Sequence, residues 1–197
     1  PIYRDRPLNV FSDVDFIWTG EENENQRRLE YLGGEFRTRY GIDVSSFQGE
    51  IDWDAVADDN IDFAMVRVGF RGTGTGSLNT DKYYEQNIRG AMRAGLETGV
   101  YFFAQAVTVE EAIEEADYVI SLLDGLDING PVAYDWEMHD STYRVYGTSP
   151  EMATACAVAF CERIKDAGYT PMVYGGTYVT LSLIHISEPT RRTPISY

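Results

Sequence analysis

The sequence predicts an α/β fold in which helices cover a parallel β-sheet. Between residue 41 and about residue 180, short apolar runs alternate with amphipathic helical patterns. The apolar runs carry hydrophobic residues at nearly every position, as expected for strands that are covered on both faces. Five such β-α repeats follow one another, and this alternation is typical of a parallel sheet packed against helices.

Five segments carry the strand signal, and glycine or proline lies next to most of them. They are residues 41–45, 63–70, 100–104, 132–137 and 171–175. An open doubly wound sheet and a barrel both satisfy this pattern. A closed barrel needs about three more strands, and the sequence after residue 177 does not supply them. We therefore expect about five βα units, too few for a complete barrel.

Helices are predicted between the strands from their caps and their 3.6-residue period. The apolar stripe that follows residue 83 ends near Gly95, and the longest helical pattern ends at Gly168. Both glycines suit the left-handed backbone that closes many helices. The predicted N-terminal caps are Asp52, the capping box of Thr108 and Glu111, and Ser149 followed by Pro150.

The chain divides into three zones by composition. Residues 1–40 are polar and show no sustained period, so we expect an N-terminal arm or linker. Residues 41–180 carry all the strand and helix signals and are expected to form the functional domain. Residues 181–197 differ again in character, and within them residues 187–194 show no pattern of helix or strand.

The composition excludes several classes of partner. There are 32 acidic and 16 basic residues, for a net charge of −16, which disfavours binding to nucleic acid or to anionic lipid. No run of about 18 apolar residues predicts a membrane span. No signal peptide is visible, but the chain starts at Pro1 rather than Met, so secretion stays open. Cys156 and Cys161 lie five apart in a predicted helix, a poor geometry for a disulfide.

The strongest chemical signal lies at the end of the fourth strand. Asp135 and Glu137 are two apart in a strand, so their side chains point to the same side while Trp136 points to the other. Two neighbouring carboxylates in a partly dry place repel each other, which raises the pKa of one and leaves the other ionised. Glycoside cleavage needs this pair: an acid for the leaving oxygen and an anion near the developing positive charge.

Other strand ends add polar and aromatic candidates. Asp43 ends the first strand, and Tyr101, Phe103 and Gln105 share one face of the third by the period of two. The carboxyl ends of parallel strands meet at one edge of the sheet, where α/β folds place their sites. Tyr101 and Tyr174 are candidate stacking surfaces for sugar rings.

Alternative chemistries find weaker support. Residues 71–77 are glycine-rich and follow a strand, but they lack the spacing of a phosphate loop, so a loop at the rim of the site is expected. His139 and His185 are the only histidines, too few for a zinc site with this sequence. A chitinase-like barrel would use a strand with the motif Asp-x-Asp-x-Glu. This sequence has Ala133 at the position of the first acid, so that alternative finds little support.

Four segments together resemble glycoside hydrolase family 25, the Chalaropsis-type lysozymes. Residues 41–53, GIDVSSFQGEIDW, resemble the opening strand of that family. Residues 63–76, 99–105 and 131–137 resemble its second, third and fourth strands, in the same order and at similar spacing. The resemblance covers residues 41–180 and implies an irregular β/α barrel of the glycosidase type, here incomplete.

The resemblance also implies a function. It implies an N-acetylmuramidase that cleaves the β-1,4 bond between N-acetylmuramic acid and N-acetylglucosamine in bacterial peptidoglycan, outside the cell or at the wall, without a metal or cofactor. Carried over by position, Glu137 is the general acid. Asp135 assists by steering the 2-acetamido group of the substrate or by stabilising the cation, and Asp43 completes the acidic cluster. Tyr101, Phe103, Gln105 and Tyr174 are expected to bind substrate.

The C-terminal end departs from the family. Residues 181–194 resemble a translated sequencing adapter, so we expect a catalytic domain cut short near residue 180 and a non-native tail. A chain cut there is expected to be unstable or weakly active. The alternatives to an active enzyme are a glycan-binding module on the same scaffold and an inactive fragment.

Overall fold

A computed structural model describes residues 16–19, 28–32 and 37–175 of the chain. By its internal contacts the chain forms two compact units, residues 1–40 and 41–197. The tail expected at residues 181–197 lies outside the described residues, and it stays a prediction.

The first unit contains a pair of short antiparallel strands. Strand β1 (Phe16–Thr19) pairs with β2 (Arg28–Tyr31), with Phe16 opposite Tyr31. Four residues are too few for an alternating pattern to stand out, although the sequence of β1 is rich in aromatic and β-branched residues that favour strands. The expected arm or linker therefore includes regular structure.

The described part of the second unit is built on a parallel sheet of five strands with one short antiparallel strand at its side. In spatial order the parallel strands are β3, β4, β6, β7 and β8, and β5 pairs with β4. Their bounds are β3 (Gly41–Val44), β4 (Phe63–Arg71), β5 (Leu78–Thr80), β6 (Glu97–Ala104), β7 (Val132–Trp136) and β8 (Pro171–Tyr174). In the part of the chain that is described, β3 and β8 end the strand order and the sheet does not close. The predicted incomplete barrel is confirmed.

Within residues 37–175, four α-helices and one 3₁₀ turn connect the strands. They are the turn Ser46–Gln48, α1 (Trp53–Asp58), α2 (Tyr84–Arg93), α3 (Val109–Leu122) and α4 (Pro150–Asp166). The predicted caps form: the side chains of Asp52, Thr108 and Ser149 each accept a backbone N–H of the first turn. The second half of the predicted capping box is wrong, because the Glu111 carboxylate accepts the N–H of Val107 instead.

One face of the sheet packs against the helices and forms the core. Phe102 and Tyr134 are at most 1% exposed, and the Tyr134 ring lies 4.8 Å from that of Phe160 on α4. Burying each such side chain contributes about 1.5–3 kcal/mol to folding. Neighbouring residues on the same strands point to the opposite face, and this alternation positions the site.

Two smaller predictions have clear outcomes. Cys156 and Cys161 are free, as expected. Residues 71–77, expected at the rim of the site, are not among those that line the cleft described below: Arg71 ends β4 and residues 72–77 form the turn to β5, with the Gly72 N–H bonded to the Ser77 carbonyl. Among the described helices, none combines the length and the apolar character needed to cross a bilayer.

Candidate active site

A cleft of about 490 Å³ opens on the face of the sheet that the helices leave uncovered. Alternate residues of the parallel strands line it, while the residues between them enter the core. Six of the seven site residues expected from the sequence lie in this cleft: Asp43, Tyr101, Phe103, Asp135, Glu137 and Tyr174. The strand period therefore assembles the predicted site from four strands and the residue that follows β7.

Asp135 and Glu137 share the cleft, as the strand geometry predicts. Trp136 between them is 3% exposed and belongs to the core. The register places Asp135 beside Phe103 on β6 and beside Tyr174 on β8. The pair thus lies at the carboxyl end of β7, between the neighbouring strands β6 and β8.

Asp135 is a buried acid without an ion-pair partner among the described residues. Its residue is 7% exposed, and its Oδ1 atom has no hydrogen-bond partner. Burial, and after it the negative charges of Glu137 and Asp43, raise the pKa of Asp135 to about 7, while the positive charge of Arg67 acts in the opposite direction. Near neutral pH this carboxyl therefore holds a proton for much of the time.

Glu137 occupies a more open position. Its side chain is 25% exposed, and its Oε2 atom lies 3.2 Å from Nε2 of His139. Its backbone carbonyl accepts a hydrogen bond of 2.8 Å from Nε2 of Gln105. The side chain faces both the cleft and solvent, which suits a group that exchanges protons with water between turnovers.

Asp43 and Tyr101 complete the polar side of the cleft. Asp43 is exposed at the edge strand β3. Burial raises the pKa of Tyr101 to about 12, and among the charges around it Asp43 and Asp135 act in the same direction while Arg67 opposes. The phenol therefore stays neutral and can donate a hydrogen bond to a ligand oxygen.

Two exposed aromatic rings flank the acids. Tyr174 is 56% exposed and Phe47 is 84% exposed, and both line the cleft. Apolar ring faces left open to water beside hydrogen-bonding groups are suited to flat, partly apolar sugar rings. Phe103 is half-buried, and its ring meets Tyr143 edge to face at 6.4 Å.

Gln105 is the predicted site residue that the cleft does not include. It follows the last residue of β6, is fully buried, and directs its side-chain amide to the Glu137 carbonyl. The period of two does not extend to it because the regular strand ends at Ala104.

Arg67 is a cleft residue that the sequence reasoning missed. Its guanidinium donates to Asp81 Oδ2 at 2.8 and 3.0 Å and to Ser46 Oγ at 3.2 Å. Burial alone would raise the pKa of Asp81, but the N–H groups of Ser46 and Tyr83 and the Arg67 guanidinium lower it below its ordinary value. A charged residue in the interior of β4, where its neighbours Val66 and Val68 are apolar, was the available signal.

Comparison with known proteins identifies the family. The family model described as glycosyl hydrolases family 25 matches residues 42–191. The chain belongs to this family. The predicted resemblance is therefore confirmed, and from Ile42 onward the match includes all the described strands and helices of the second unit.

Relatives of the family 25 chain include two curated lysozymes. The "Autolytic lysozyme" of Clostridium acetobutylicum is 24% identical over 155 residues, covering 79% of this chain and 43% of the relative. "Lysozyme M1" of Streptomyces globisporus is 30% identical over 112 residues, covering 55% of this chain and 36% of the relative. The chain spans less than half the length of either relative.

Solved structures share the fold. The modular autolysin LytC from Streptococcus pneumoniae superposes with a TM-score of 0.69 at 23% identity, covering 85% of this chain and 39% of LytC. The muramidase from Trichobolus zukalii gives a TM-score of 0.59 at 26% identity, covering 72% of this chain and 67% of that one.

Proposed function

We propose that this chain hydrolyses peptidoglycan at the β-1,4 bond between N-acetylmuramic acid and N-acetylglucosamine. The observation that carries the proposal is the pair Asp135 and Glu137, which share one cleft in unequal environments. Family membership supports it, as do the lysozyme names of the relatives and a LytC structure in complex with a synthetic peptidoglycan ligand, at 26% identity.

Glu137 is proposed as the general acid that protonates the leaving oxygen. In the free protein, burial favours the proton on Asp135, whose pKa is raised to about 7. Two carboxyls in one site titrate as a pair. The reactive form, with the proton on Glu137, therefore has the same net charge as the form with the proton on Asp135. Positive charge developing on the sugar favours ionised Asp135 and so favours that reactive form.

Asp135 is proposed to act as an anion once the sugar is bound. It either steers the 2-acetamido group of the substrate as the internal nucleophile or stabilises the cation directly. Asp43 adds negative charge from the edge strand, and neutral Tyr101 donates a hydrogen bond. Tyr174 and Phe47 are proposed to stack on sugar rings at the two sides of the acids.

The pH dependence of this mechanism has a definite sign. The pair must hold one proton to act, so activity is expected to fall as the pH rises through about 7, the value to which burial raises the pKa of Asp135. The site of action is proposed to be outside the cell or at the wall, where peptidoglycan lies.

Product analysis on purified peptidoglycan tests the proposal. We expect new reducing ends that become muraminitol after borohydride reduction; glucosaminitol would identify a different bond. Glu137→Gln is expected to lower the rate by about 10²–10⁴-fold because it removes the acid. Glu162→Gln, an exposed position on α4, is the matched control and is expected to leave the rate unchanged.

Two outcomes would contradict the proposal. An unchanged rate in Glu137→Gln would exclude Glu137 as the acid. Binding to peptidoglycan without any new reducing ends would instead favour a glycan-binding module, for which the exposed rings of Phe47 and Tyr174 would suffice.

A further inference from the structure

The hydrogen-bond ladder between β6 and β7 stops just before Glu137. The last paired residues are Ala104 and Trp136, so no backbone group of β6 is paired with Glu137. One residue beyond the pairing, the side chain of Gln105 replaces the missing contact, with its Nε2 donating to the Glu137 carbonyl at 2.8 Å. Gln105 is fully buried and is not among the residues that line the cleft.

The backbone of Gln105 is itself held from two sides. Its N–H donates to Glu115 Oε1 at 3.1 Å, and its carbonyl accepts from Arg144 Nη1 at 3.0 Å. Glu115 is fully buried on α3 and pairs with Arg71 at 2.7 Å. The amide of Gln105 therefore starts from a backbone that the α3 helix fixes through a charged contact.

A second contact from α3 fixes the same segment. Glu111 accepts the N–H of Val107 at 2.9 Å and forms two hydrogen bonds with Arg144, at 2.5 and 2.6 Å. Three backbone groups of residues 105–107 are thus held by charged side chains. A loop residue anchored in this way loses little further entropy when its amide binds a carbonyl.

We propose that Gln105 is a positioning residue that fixes the peptide after Glu137 and thereby aims the Glu137 carboxyl into the cleft. The proposal rests on the role proposed above for Glu137. The cause is local: Glu137 lies past the last residue of β7, and among the described residues no ladder pair with β6 or β8 includes it. A misplacement of about 1 Å at a reacting group costs about 10²-fold in rate.

Gln105→Met tests this role because it keeps the length and volume of the side chain and removes the donor. We expect kcat on peptidoglycan to fall about 10- to 100-fold with little change in KM, the pattern of a lost transition-state interaction. Gln86→Met, at an exposed position of α2, is the matched control and is expected to change neither parameter. An unchanged kcat in Gln105→Met would overturn the proposal.

Gln105→Glu supplies a readout that packing alone would not change. A protonated glutamic acid can donate to the Glu137 carbonyl, whereas the carboxylate repels it. Activity relative to the unsubstituted protein is therefore expected to recover as the pH falls. If the activity of Gln105→Glu, divided by that of the unsubstituted protein, stays constant with pH, then Gln105 contributes only packing and the positioning role is overturned.

A carbon-13 measurement separates this proposal from the proposed function. The carbonyl resonance of Glu137 is expected to shift in Gln105→Met but not in Gln86→Met, because only the first variant removes its hydrogen bond. If the unsubstituted protein releases no sugar, the proposed function fails while this shift still supports the positioning contact. An unshifted Glu137 resonance overturns the positioning role whatever the activity.

Discussion

Two groups of carboxylates in this chain have different partners. Three network acids each contact an arginine: Asp81 with Arg67, Glu111 with Arg144, and Glu115 with Arg71. The three cleft acids, Asp43, Asp135 and Glu137, form no ion pair with an arginine or lysine of the described residues. Only His139 lies within ion-pair distance of one of them, Glu137.

Glu115 and Asp135 make the difference clearest. Burial raises the pKa of each to about 7, so both lose the same kind of hydration. Glu115 accepts hydrogen bonds from Arg71 and from the Gln105 backbone on Oε1, and its Oε2 has no partner among the described residues. The Oδ1 atom of Asp135 has no partner among those residues either, but Asp135 lines the cleft and Glu115 does not. The first arrangement stabilises a loop, and the second leaves a polar atom available to a ligand. The contrast separates an acid with a structural role from one suited to chemistry.

The largest expected effect comes from breaking the structural side of this comparison. Arg71→Met leaves Glu115 buried without its cation and is expected to lower the free energy of unfolding by about 3–5 kcal/mol. Urea unfolding at pH 8, where the Glu115 carboxyl is largely ionised, measures it. Arg89→Met, which breaks an exposed pair with Glu85, is the control, with an expected loss below about 1 kcal/mol. Equal losses in the two variants would contradict the distinction.

Substitution on the cleft side is expected to act in the opposite direction. The pKa of Asp135 is raised to about 7 in the folded state, so its contribution to stability is present below about pH 4 and is lost as the pH rises through 7. Asp135→Asn removes this loss. Its free energy of unfolding at pH 8 is expected to exceed that of the unsubstituted protein by about 2–4 kcal/mol, with no gain near pH 4.

The same variant is expected to lose peptidoglycan hydrolysis. Urea unfolding of Asp135→Asn at pH 4 and at pH 8 measures the change in stability, and the release of reducing ends from peptidoglycan measures the change in activity. A variant that becomes less stable at pH 8 would mean that the Asp135 carboxylate contributes to folding like the network acids.

The smallest expected effect concerns the exposed acid of the cleft. Asp43 raises the pKa of Asp135 less than burial and Glu137 do. Asp43→Asn is therefore expected to lower the pKa of Asp135 by less than about one unit, because one distant negative charge is removed in a partly solvated cleft. Carbon-13 titration of the Asp135 carboxyl measures the change. A rise in that pKa would contradict the assigned cause.

Local patterns predicted most of the fold and of the cleft. Apolar runs, glycines and capping residues are properties of neighbouring positions, and the period of two brought Asp135 and Glu137 to one side. The three-residue strand β5 was missed because so short a run has no recognisable period. The pair of Arg67 and Asp81 was missed because it joins residues 14 apart through the folded structure.

Gln105 shows where periodicity stops being informative. The alternation that placed Tyr101 and Phe103 in the cleft holds only while the backbone stays extended, and β6 ends at Ala104. Beyond that point the direction of a side chain depends on tertiary contacts, here with α3 and with the peptide after β7. No pattern in the sequence reports those contacts.

Asp135 and Glu137 share one cleft in unequal environments. A site-resolved carbon-13 titration of the Asp135 carboxyl tests this inequality most directly. In the unsubstituted protein, the account predicts a midpoint of about 7. In Glu137→Gln the midpoint is predicted to fall, because the largest nearby negative charge is gone, and to remain above the ordinary value, because burial persists. A midpoint near 4 that Glu137→Gln leaves unchanged would contradict the account.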